Sequence, residues 1–189
     1  MRMRGFRLAQ VLLGLAFGIA CAQPLQAQTP VPAQPIDPFG QEVTLTAKPI
    51  VYVAGSGTWD TALDTLTQAF QKVGAYLDKA GLKAAGPAMT IYTSTTDTGF
   101  KFQAAVPLAR PPKAPGDREI AVGESPAGKV FKFVHRGTYK DMGQTYEAIT
   151  NFFDAKGLDA KDLLIEEYLT DLKSAPEAPL VVNVFVPAR

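Results

Sequence analysis

From Val43 onward, apolar and polar positions change their period in a fixed order. Ile50, Tyr52 and Ala54 fall on one side of an extended chain and Val51 and Val53 on the other, which predicts a strand over Val43 to Ala54. Gly55 and Gly57 interrupt it. Leu63, Leu66, Phe70, Val73 and Leu77 then recur at helical spacing, with Thr58 as the expected N-cap and Asp60 in the first turn. Gly81 is the expected C-terminal stop. Met89 to Ser94 and Phe100 to Leu108 read as a hairpin; in its second strand Phe100, Phe102, Ala104 and Val106 alternate with Lys101 and Gln103.

A Pro-rich connector, Ala109 to Glu119, precedes a second run of the same pattern. Ile120 to Val134 restarts it, with a bend expected around Ser125 to Gly128. Thr138 and Asp141 are spaced as a capping box. Met142, Tyr146, Ile149 and Phe153 line one helix face, Gly157 ends the helix, and strands follow at Leu163 to Leu169 and Leu180 to Pro187.

The two runs are a repeat. Gly57-Thr58-Trp59, Gly81-Leu82, Ile91-Tyr92 and Val106-Pro107 are matched in order by Gly137-Thr138-Tyr139, Gly157-Leu158, Glu167-Tyr168 and Val186-Pro187. A repeat of this kind dominates the reading of a fold. Residues 42–189 are therefore expected as one domain with halves 43–108 and 120–189. The fold class is α+β: a duplicated strand-helix-strand-strand unit, with a mainly antiparallel curved sheet and two helices on one face.

One strand carries an anomaly. Leu163 to Leu172, LLIEEYLTDL, sets two carboxylates beside a tyrosine in an apolar run. Side chains alternate along a strand, so Glu166 and Tyr168 share a face and Glu167 takes the other. A buried ionised carboxylate is costly unless it is paired or hydrogen-bonded. Whichever glutamate points inward needs a cation or a hydrogen-bond donor.

The N-terminus reads as an address. Arg2, Arg4 and Arg7 precede an uncharged apolar run, Val11 to Ala20, which is shorter than the ~20 residues of a membrane span. Residues 1–22 are expected as a signal peptide, with cleavage in a small-x-small site at Ala20-Cys21-Ala22. In an alternative reading, Gly18 to Cys21 is a lipobox and Cys21 is lipidated. Residues 23–41, with five prolines, are expected as a disordered spacer. The location implied is periplasmic or secreted, or membrane-anchored through Cys21. Losing the three N-terminal arginines takes the formal charge from +1 to −2, which does not suggest a nucleic-acid partner. Cys21 is the sole cysteine, so the mature domain has no disulfide.

The remaining chemistry is aromatic and acidic. There is no G-x-S-x-G motif, no phosphate loop and no clustered metal ligands, and no cofactor is called for. The single histidine, His135, is expected to bond local backbone at a strand-to-helix turn. Trp59 and Tyr139 hold equivalent places at the helix starts, Tyr92 and Tyr168 on the middle strands, and Tyr146 lies on the second helix. Ring faces beside one buried carboxylate suit lipophilic cations, at about 0.5–2 kcal/mol per ring. The expected ligand-binding residues are Glu166, Trp59, Tyr92, Tyr139, Tyr146 and Tyr168. A catalytic role for Glu166 has no convincing second group, so binding is favoured over catalysis.

These features resemble the gyrase-inhibitor-like, or transcription-activator effector-binding, domain family. The resemblance rests on Ala85-Gly86-Pro87 leading to Ile91-Tyr92, on Pro126-Ala127-Gly128, and on Phe133 to Tyr139. Gly143 to Tyr146, Glu166 to Leu169 and Val184 to Pro187 complete it. It implies a pocket for hydrophobic ligands, cationic ones included, between the halves. It also implies that Glu166, two positions before the strand tyrosine, is the charged group, although Glu167 fills a place that is commonly apolar in the family. Regulators of the family carry a DNA-binding segment where this chain has its signal and spacer, so a transcription factor is not expected. Some relatives are described as hydrolases and others bind proteins. The alternatives are therefore a hydrolase of small electrophiles using Glu166, or a protein-interaction module, with an envelope protein as partner, whose pocket is vestigial.

Overall fold

A computed structural model describes residues 39–112, 118–174 and 178–189. The first half contains β2 (Pro49–Thr58), α1 (Ala62–Ala80), β3 (Met89–Thr95) and β4 (Gly99–Pro107). The second contains β6 (Gly128–Gly137), α2 (Met142–Lys156), β7 (Leu164–Tyr168) and β8 (Leu180–Val186). Two short strands, β1 (Gln41–Leu45) and β5 (Ala121–Glu124), precede the halves. All eight strands form one antiparallel sheet in the order β1-β6-β8-β7-β3-β4-β2-β5. The halves thus meet at β3 and β7, and each strand of one half has its counterpart at the same distance from that seam.

The stretch expected as one strand, Val43 to Ala54, is two strands on opposite sides of the sheet. Pro49, which has no N–H to give a ladder, opens β2. The spacer expected through Gln41 also ends earlier. The Gly40 N–H bonds the Lys132 carbonyl at 3.1 Å, and the Phe39 ring lies 4.8 Å from that of Phe133. The signal segment, Cys21 and the spacer up to residue 38 lie outside the described residues.

Two short links dictate the curvature. In the sheet order β1 and β2 stand six places apart, roughly 29 Å across a flat sheet. The chain from Leu45 to Pro49 reaches about 14 Å at most. The link from Glu124 to Gly128, between β5 and β6, faces the same problem. The sheet must curl until its two sides approach, and the links then lie side by side. The Lys48 N–H bonds Ser125 Oγ at 3.0 Å and the Ser125 N–H bonds the Lys48 carbonyl at 2.8 Å.

Each face has its own core. Val51, Val53, Phe102, Phe133, Val182 and Val184 point to the helices. There they meet Leu66, Phe70 and Val73 of α1, and Met142, Ile149 and Phe153 of α2. Ile50, Met89, Ile91, Val130, Ile165 and Phe185 fill the opposite, inner face of the curl.

Both helices end as their glycines predict. Gly81 and Gly157 adopt φ of 62°, and the Leu82 and Leu158 N–H groups cap Leu77 and Phe153 carbonyls. Their starts differ from expectation in one respect. Each helix is preceded by a 3-10 turn, Trp59–Thr61 or Tyr139–Asp141. Thr138 and Asp141 form the expected capping box, with Asp141 Oδ2 accepting from the Thr138 N–H at 3.0 Å. Thr58 makes no side-chain cap; its hydroxyl lies 3.1 Å from that of Thr61.

Candidate functional site

The seam between the halves supplies the floor of the site. In β7, Glu166 and Tyr168 point to the helix side, while Ile165 and Glu167 point into the curl. Thr90 pairs with Glu166 directly across the seam, and Tyr92 pairs with Leu164. The helices approach this floor from either side. Phe70 of α1 meets the Tyr168 ring edge-on at 5.7 Å, and α2 brings Tyr146 over Glu166.

The Glu166 carboxylate is 2% exposed and is held by three phenols. Tyr92 donates to Oε2 at 3.0 Å, Tyr168 donates to the same oxygen at 2.5 Å, and Tyr146 donates to Oε1. Since Tyr168 spends its proton on the carboxylate, the Thr90 hydroxyl, 2.9 Å away, donates to the phenol oxygen. The result is a relay of donors, Thr90 to Tyr168 to Glu166, with two further phenols converging on its end.

Burial dominates the electrostatics. Removing the carboxylate from water raises the Glu166 pKa, while the bonds from Tyr146, Tyr168 and Tyr92, and the charge of His135, oppose that rise. Tyr92, Tyr146 and Tyr168 are pushed well above the usual phenol range, first by burial and then by the Glu166 charge. Tyr139 is raised by the same two causes, so its ring also lies within the field of Glu166. All four phenols therefore remain protonated at neutral pH, and Tyr92, Tyr146 and Tyr168 donate to Glu166.

Three of the five aromatic residues expected beside Glu166 bond it directly, and Tyr139 stands in its field. Trp59 stands apart at the rim. It is 41% exposed, its Nε1 donates to the Thr96 carbonyl at 2.8 Å, and its ring stacks 4.8 Å from Phe100 and 6.1 Å from Tyr92. His135 does what its position suggested. It is buried, with Nε2 3.1 Å from the Thr138 carbonyl and Nδ1 2.7 Å from the Thr145 hydroxyl. A carbonyl only accepts, so Nε2 carries a proton. Thr90 is the site residue that no local pattern marks. The repeat could have found it: Tyr168 follows Tyr92 by 76 positions, and Glu166 follows Thr90 by the same 76.

Two cavities flank the cluster. One of about 310 Å³ lies beside Tyr168, between Phe70 and Leu77 of α1 and the Leu169 to Lys173 segment. The other, about 390 Å³, lies beside Tyr92, against Ile149 and Phe153 of α2. Glu166 lines neither. Between the helices Tyr146 covers Glu166, and the two cavities lie to either side, the first walled by α1 and the second by α2. Among the described residues no three His, Cys, Asp or Glu side chains gather to hold a metal, and no helix is long and apolar enough to cross a membrane.

Several solved structures share this fold. The C-terminal domain of EcmrR superposes with a TM-score of 0.63 at 15% identity, covering 79% of this chain and 96% of that one. In the complex of EcmrR with DNA the TM-score is 0.66 at 13% identity; the match covers 79% of this chain and 57% of that one, little more than half its length. SAV2435 bound to tetraphenylphosphonium gives 0.55 at 14% identity, covering 79% and 93% of the two chains. A hydrolase encoded by lin2189 from Listeria innocua gives 0.57 at 14% identity, covering 80% and 92%. At these identities the likeness shows the fold. No curated protein matches the sequence. Residues 41–189 match the GyrI-like small molecule binding domain, so the chain, with its duplicated halves and central seam, belongs to the GyrI-like family.

Proposed function

We propose that this protein is an exported binding module for hydrophobic small molecules, lipophilic cations among them, with the groove between α1 and α2 as its site and Glu166 as its charge anchor. The observation that carries the reading is a carboxylate 2% exposed, held by three neutral phenols. His135 is a basic side chain whose charge acts on it. Phenols reduce the cost of burying this charge without neutralising it. A ligand cation completes the pair, and the rings of Tyr92, Tyr146 and Tyr168 present faces to it.

Tyr146 is the group to move. It is half-buried and comes from a helix, whereas Tyr92 and Tyr168 are fixed in the floor. Turning its ring aside uncovers Oε1 and leaves the two bonds to Oε2 intact. The flanking cavities take the ligand's apolar groups. The related structure of SAV2435 holds tetraphenylphosphonium, a bulky aromatic cation, which makes this ion the first probe.

The test is a thermal-shift series with tetraphenylphosphonium, a neutral aromatic of similar size and an aromatic anion. Binding to the native state at a hundredfold excess over Kd adds about 2.7 kcal/mol of apparent stability. The cation is expected to stabilise the wild type and to lose its effect in Glu166→Gln. Equal shifts in wild type and variant would remove Glu166 from the site.

The raised pKa of Glu166 supports a second reading, a hydrolase of small electrophiles in which Glu166 is the base or nucleophile. Turnover of an epoxide or activated ester, abolished in Glu166→Gln, would favour it. The protein-interaction reading with a vestigial pocket would be favoured by two exposed glutamates, and Glu166 is buried. Export rests on residues 1–22 alone. It is tested by fractionating cells, and the lipidated alternative by mass measurement of the N-terminal peptide containing Cys21.

A further inference from the structure

On the opposite face of the sheet, away from both helices, a cavity of about 230 Å³ lies where the two short links cross the curl. Its walls are mixed: Leu45, Pro126, Met89, Ile165 and Phe185 supply apolar groups, and Thr44, Thr46, Ser125 and the exposed Lys48 supply polar ones. One carboxylate, Glu167, enters it, one position along β7 from the groove's Glu166 and facing the other way. Glu167 is not loose. Asn183, which pairs with it across β7 and β8, donates Nδ2 to its Oε2 at 2.8 Å. Asn183 is itself 7% exposed, and its carbonyl oxygen is buried without a donor.

We propose that this cavity is a second ligand site, for a small amphipathic amine. Asn183 engages only Oε2 of Glu167, so Oε1 is the acceptor this cavity offers to N–H donors. An ammonium group supplies three. The volume lies below the ~300–1,000 Å³ of drug-sized pockets, which limits the ligand to a short chain. The alkyl part lies against Met89, Ile165 and Phe185, and the head meets Glu167. Asn183 is a positioning residue: it fixes one carboxylate oxygen and leaves the other to the ligand. This site shares no lining residue with the cavities beside Tyr168 and Tyr92.

The experiment uses the full chain in a Glu166→Gln background, which removes the groove's anchor, and titrates n-hexylamine, hexanol and hexanoate by calorimetry and by methyl NMR. Hexylamine is expected to bind and to shift the Met89 and Ile165 methyl signals. Adding Glu167→Gln should weaken it at least tenfold. Thr46→Trp, at an exposed position on the cavity wall, should block it with Glu167 intact, which separates loss of the site from loss of fold. Equal affinity for hexylamine and hexanol, shifts confined to the helix side, or full binding in both variants would overturn the proposal. Because the groove's anchor is already absent, failure here leaves the tetraphenylphosphonium result untouched.

Discussion

Thr90 and Glu166 are the same position of the repeat, and they face each other across the seam between β3 and β7. The pseudo-twofold axis would place identical side chains at this point. The chain sets a hydroxyl on one side and a carboxylate on the other, with a tyrosine two residues after each. The symmetric tyrosines both turn to the carboxylate, so a symmetric frame holds one asymmetric charge.

Thr90→Val keeps the shape and removes the donor to Tyr168. Tyr168 still bonds Glu166, so no buried proton is orphaned. The expected cost is about 1 kcal/mol, read from urea midpoints with an unchanged m-value. A loss several times larger would mean that the Thr90 hydroxyl holds the whole cluster.

Stability should fall as pH rises through the Glu166 window. Its folded-state pKa is raised above the unfolded value. Between those two values the folded chain keeps a proton that the unfolded chain has released, so raising the pH favours unfolding. Glu166→Gln should lose that part of the slope, measured by denaturation across a pH series. Tyr146→Phe should widen the window, because it deletes the bond that most opposes the rise. A slope unchanged in Glu166→Gln would assign it to other groups.

Phe133→Ala should cost about 3–5 kcal/mol by equilibrium unfolding. Phe133 is 0% exposed and touches the rings of Phe39, Phe152 and Phe153. A much smaller loss would mean that α2 settles into the vacated space.

Gly40→Ala tests where the fold begins. Gly40 sits at φ of 78°, and an added Cβ would lie 2.3 Å from the Phe152 ring. The variant should lose more than about 1 kcal/mol, from strained backbone and displaced ring together. A neutral result would return residues 39–41 to the spacer.

Most of the frame was legible along the chain. The change of period from two to 3.6 marked the helices, the glycines marked their ends, and the repeat gave the two-half architecture. Alternation along β7 put Glu166 with Tyr168 and sent Glu167 to the other face, because a strand leaves no other choice. Local pattern failed at Pro49, where one apolar run hides a break between two strands. Which strand pairs with which depends on partners far away in sequence.

The sequence by itself determined the helices and their ends, the duplication and the face each side chain of β7 takes, since these follow from short-range sterics and burial. Tertiary structure alone decided that Thr90 meets Glu166 and that Tyr146 arrives from a helix to close the carboxylate. It also decided that two links of a few residues, too short for a flat sheet, curl it and enclose a cavity around Glu167. Those are distances between segments far apart in the sequence, and the packing of the two halves fixes them.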